Sequence, residues 1–85
     1  MMATSEILQI LKKGDEMTSS EISKALDISI RTINASIKRL LKDITKPIQF
    51  RPLTQEEKIE RYGRNIGLRI PIYWFNGQDA KRMAA

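Results

Sequence analysis

The chain has 85 residues and a net charge of +5, and it contains neither cysteine nor histidine. Disulfides and thiolate zinc sites are therefore excluded, and the commonest metal ligand and general base are missing. A chain of this length predicts one domain, residues 1–85, near the lower limit for a core that stands without staples.

No apolar run approaches the roughly 20 residues that span a bilayer, so no membrane partner is expected. The opening MMATSEILQILKKG lacks the basic start and small-residue cleavage site of a signal peptide, which predicts a cytoplasmic protein. Charge is unevenly spread. Residues 1–28 hold three cations against five acids, whereas residues 29–51 hold Arg31, Lys38, Arg39, Lys42, Lys46 and Arg51 against Asp43 alone. A cationic centre beside an acidic first third sets up a directional field suited to a polyanion.

In chain order, a first helix is expected over about residues 5–13, capped by Thr4 or Ser5. Its apolar stripe is Ile7, Leu8, Ile10 and Leu11, and Gly14 supplies a left-handed stop. Asp15 to Met17 connect onward, with room for a very short strand. Thr18-Ser19-Ser20-Glu21 has the spacing of a capping box and opens a second helix over 19–26. Asp27-Ile28 turns the chain and Ser29 caps a third helix, 29–43.

In that helix Ile30, Ile33, Ile37, Leu40, Leu41 and Ile44 fall within about 100° of arc, the width of a core-facing stripe. The opposite arc carries Arg31, Thr32, Ala35, Ser36, Arg39 and Lys42, with Lys38 and Asn34 on a flank and no carboxylate before Asp43. A merely solvated helix would interleave Glu with Lys for i,i+4 support.

The period changes after Pro47. Ile48 and Phe50 alternate with Gln49 and Arg51, which predicts a strand. Its longer partner pairs Leu68, Ile70, Ile72 and Trp74 against Arg69, Pro71, Tyr73 and Phe75. Pro71 argues for an edge position there, and Trp74 is read as packing alongside Ile70 and Ile72. Between the strands RPLTQEEKIERYGRNIG is too long for a tight hairpin, and Gln55 to Tyr62 can form a turn or two of helix. The tail 76–85 is read as frayed or as a short closing helix.

Helix, short helix, tight turn, basic helix, then a β-hairpin: this order resembles the winged helix-turn-helix family of DNA-binding domains, an α+β fold of three helices and a hairpin wing. The resemblance covers residues 5–75. It is carried mainly by SSEISKALDISIRTINASIKRL, with its small Ala25, its turn at Asp27-Ile28-Ser29 and its aliphatics at Ile33, Ile37 and Leu40. It implies a recognition helix over 29–43, a hairpin and wing over 45–75, and a transcriptional regulator of a bacterium, an archaeon or one of their viruses. It also implies that Ser29, Arg31, Thr32, Ser36 and Arg39 face the major groove, with Arg51, Lys58, Arg61 and Arg64 on or near the wing.

The chemistry of these residues fits a duplex. Arg31 can hold guanine O6 and N7 together, and Thr32 or Ala35 can meet a thymine methyl. Lys38, Arg39 and Lys42 suit phosphates, which set position rather than sequence. Ser29 can also be only a cap, and Lys42 only a complement to the helix dipole. Glu56, Glu57 and Glu60 would repel phosphates. The wing therefore either touches DNA in part, covers its own domain, or meets a protein through the 52–67 loop. A homodimer stays open, as does a role in replication or recombination. No metal constellation, phosphate-cradling glycine loop or nucleophile with a base is visible, so neither catalysis nor a cofactor is expected.

Overall fold

The element order is helix, strand, two helices, strand, helix, strand. The computed structural model describes residues 3–64 and 67–78. The elements are α1 (Thr4–Leu11), β1 (Met17–Thr18), α2 (Ser19–Leu26), α3 (Ile30–Lys42), β2 (Ile48–Pro52), α4 (Gln55–Tyr62) and β3 (Pro71–Phe75). A 3₁₀ turn follows at Asn76–Gln78, and the rest of the tail, 79–85, lies outside the described residues.

Local chemistry fixes most of the helix ends. At α2, Thr18 Oγ1 accepts from the Glu21 N–H at 3.3 Å while Glu21 Oε1 accepts from the Thr18 N–H at 2.9 Å. These reciprocal bonds satisfy two amides that helix formation leaves free. Asp27 ends the helix in the left-handed region at φ 55°, and Ser29 Oγ caps α3 by accepting from the Thr32 N–H. A second capping box, Thr54 with Glu57, starts α4, and Gly63 at φ 73° ends it. The first helix departs from expectation. Its N-cap is Ala3 rather than Thr4 or Ser5, and it stops at Leu11, followed by a turn with Gly14 at φ 102°. Ala3 offers no side-chain acceptor, so a tertiary bond holds this end, Ala3 N–H to Ser36 Oγ at 2.8 Å.

The main core gathers Ile7 and Leu11 from α1, Ile22 from α2 and Ile33, Ile37 and Leu40 from α3, closed by Ile48 and Tyr73 from the sheet. Two members of the expected stripe fall outside it. Ile30 begins α3, with no earlier turn to cover it, and is 43% exposed. Ile44 follows the end of the helix, where Asp43 is already extended, and is 92% exposed.

The sheet is antiparallel throughout, in the order β1-β3-β2. β3 is thus the central strand, not an edge. Pro71 is tolerated because it is the first residue of β3, opposite Pro52 and past the end of β1, where a missing N–H breaks no ladder bond. The strand is also shorter than expected, since Leu68 to Ile70 precede it.

Its faces are the reverse of the expected ones. Tyr73 and Phe75 look toward the three-helix core, whereas Ile72 and Trp74 look the other way. Ile72 is nonetheless fully buried. It shares its face with its cross-strand partners Thr18 and Arg51, and α4 bonds to both of these, through Tyr62 and Glu57. α4 therefore lies over the far side of the sheet, and β3 is covered on both faces.

Candidate nucleic-acid interface

The outward face of α3 is set by the packing of its inward one. Burial of Ile33, Ile37 and Leu40 turns Arg31, Asn34, Ala35, Lys38, Arg39 and Lys42 to solvent. Ala35, Lys38, Arg39 and Lys42 line a shallow open depression of about 380 Å³. Among the described residues no ion pair engages Arg31, Lys38, Arg39 or Lys42. No acid lies between Ile30 and Lys42 either. Asp43, the next carboxylate, accepts from both the amide and the hydroxyl of Thr45, and these bonds lower its pKa. Ser29 is exposed at the start of the helix, and its hydroxyl donates to Thr32 Oγ1 at 3.0 Å. Thr32 is half-buried beneath that bond.

Ser36 does not belong to this face. It is fully buried, donating to the Thr32 carbonyl at 2.8 Å and accepting the Ala3 N–H. Its place on the outer arc is corrected by the arrival of the chain's N-terminal end, which covers it.

Residues 4–43 match the family model described as winged helix-turn-helix DNA-binding. That span runs from the first residue of α1 through the end of α3, the part whose basic face has just been described. The segment is thus similar to winged helix-turn-helix DNA-binding domains. The hairpin formed by β2 and β3 follows it in the structure and gives an α+β winged-helix fold. No curated protein and no solved structure matches the chain.

The connection between β2 and β3 stands where such a fold has its wing. In place of a loop it carries α4, and three of the four cations expected there are occupied internally. Arg51 donates through both terminal nitrogens to Glu57, at 2.8 and 2.7 Å, and lies 3.7 Å from Glu16. The fork geometry raises the Arg51 pKa and holds the Glu57 carboxyl down to about 2, with the Thr54 amide as second cause. Arg61 donates to both oxygens of Glu21, at 2.6 and 2.8 Å. Lys58 is 8% exposed and its Nζ donates to the Leu68 carbonyl at 2.7 Å. These three are fastened to their own domain. Arg64 alone of the four is exposed with no partner among the described residues. The acids Glu57 and Glu21 are likewise matched, and Tyr62 adds a hydroxyl bond to Thr18 Oγ1 at 2.7 Å.

Arg69 was not among the expected contacts. It is exposed, has no partner among the described residues, and borders a concavity beside Ile30 at the start of α3. Its signal in the sequence was the uncompensated charge of RNIGLR, hidden by the assumption that residues 68–70 belonged to a strand. No cluster of three or more His, Cys, Asp or Glu able to hold a metal occurs among the described residues, and none of their helices is long and apolar enough to cross a membrane.

Proposed function

We propose that this chain is a sequence-specific double-stranded DNA-binding protein that regulates transcription in the cytoplasm by occupying an operator, with α3 in the major groove. One observation carries the reading: Arg31, Lys38, Arg39 and Lys42 stand exposed and unpaired among the described residues, opposite a buried aliphatic stripe. Cations so arranged gain free energy by displacing counterions condensed on phosphates. Arg31, in the first turn, is the residue for a guanine edge, and exposed Ala35 lets the helix approach closely. Lys38, Arg39 and Lys42 hold phosphates and fix the register.

The test is a titration of labelled duplex at several salt concentrations. Log K should fall against log salt by about 0.9 per phosphate contacted, and a flat response refutes the reading. Arg31→Ala should cost about 1–3 kcal/mol and blur preference at one base pair, whereas Lys42→Ala should weaken all duplexes alike. An accessory role in replication or recombination would use the same contacts, and selection of bound duplexes from a random pool separates it by yielding no consensus.

A second reading, docking of a protein through the 52–67 loop, is favoured by the outward side of α4. There Ile59 is 49% exposed between Glu56 and Glu60. In an NMR titration duplex DNA should shift resonances over 29–42, and a protein partner those over 52–67.

A further inference from the structure

Beside the N-terminal end of α3 lies an open concavity of about 330 Å³ that the contacts above leave unused. Its apolar lining is Ile30, Ile70 and Pro71, beside Thr18, Ser19, Ser20, Tyr62 and Arg69. No carboxylate lines it. Ile30 is the anomaly: Ile33 and Ile37 of the same helix are 0% and 3% exposed, yet Ile30 is 43% exposed with Arg31 as its neighbour. A large aliphatic side chain thus stands open at the end of the helix that approaches base edges in helix-turn-helix complexes.

We propose that Ile30, backed by Ile70 and Pro71, receives the C5 methyl group of a pyrimidine in the major groove. The inference rests on the DNA-binding reading and adds a specificity determinant to it. The C5 methyl is the apolar group that a base pair offers on its major-groove edge, and thymine and 5-methylcytosine both present it. Ile30 has no donor or acceptor with which to read anything else. Charge agrees: the one ionised side chain lining the concavity is Arg69, a cation suited to a neighbouring phosphate. Arg31, the next residue of α3, is exposed as well.

The experiment begins with a consensus duplex selected from a random pool using the full chain. Each thymine is then replaced in turn by deoxyuridine, which removes only the methyl, and affinity is measured by fluorescence anisotropy. At one position in each bound site, loss of the methyl should weaken binding about fourfold, the value of one methyl-sized group taken out of water. Placing 5-methylcytosine against cytosine at that position should return a similar ratio, which isolates the methyl from the other base-edge groups. Ile30→Ala should bring both ratios close to one while leaving the salt slope unchanged. The methyl ratios are first read on the unaltered protein, and circular dichroism checks that the variant folds. Unchanged affinity at every thymine, or a ratio that survives Ile30→Ala, overturns the proposal and leaves DNA binding standing. Failure to bind any duplex, or equal binding to all, overturns the sequence-specific reading and this proposal together.

Discussion

Ser36 shows how far helical periodicity reaches at a single residue. At 100° per residue it lies about 40° around the helix from Leu40, on the border between aliphatic stripe and cationic arc. Which side it joins depends on whether another segment covers it, and the N-terminal end of the chain does so through the Ala3 bond. Ser36→Ala should strand a buried amide and cost about 1–3 kcal/mol in urea denaturation, with DNA affinity unchanged. Glu57 gives a second residue-scale expectation. Its carboxyl titrates near 2 in the folded chain, chiefly because Arg51 holds it, against an ordinary value of 4.5. Below that ordinary value the unfolded chain takes up the proton first, so folding is progressively weakened as pH falls toward 2. Glu57→Gln should flatten part of the decline in thermal midpoint between about pH 4.5 and 2, leaving the part due to Asp43.

Among the elements, α3 and the capping box of α2 were legible because their causes are local: an aliphatic repeat, and a hydroxyl three residues before a carboxylate. The span of α4 was legible for the same reason, since Thr54 and Glu57 repeat that spacing. Its orientation was not. The side chains it turns inward are Glu57, Lys58, Arg61 and Tyr62, while Ile59 faces out, so its apolar pattern points away from the domain. What holds it down is long-range polar pairing, with Glu21 40 residues from Arg61 in sequence, and no periodicity encodes such a match. The faces of β3 were misread for a related reason, because a strand covered on both sides shows no alternation to follow. Tyr62→Phe tests the docking of α4. Loss of the hydroxyl bonds to Thr18 and Ser20 should cost about 1 kcal/mol and speed amide exchange in α4 while leaving α3 protected.

Over the whole molecule, the net charge of +5 includes cations of two contrasting kinds. Arg51 is matched to Glu57 on α4 and Arg61 to Glu21 on α2, so their fields largely cancel at a distance. The α3 cations have no such match among the described residues, and with no acid before Asp43 on that helix they concentrate positive potential along its outer face. The two populations should separate in the salt dependence of DNA binding. Replacing Lys42 or Arg39 by Ala should each reduce the slope of log K against log salt by about 0.9, as a released phosphate contact requires. Arg61→Gln should leave the slope within error and act on folding instead, by no more than about 1 kcal/mol for a pair this exposed. Equal reductions from both kinds of variant would mean that phosphates outcompete Glu21 for Arg61. α4 would then have to break its ion pair with α2 whenever the protein binds DNA, because one guanidinium cannot hold both partners in the geometry seen here.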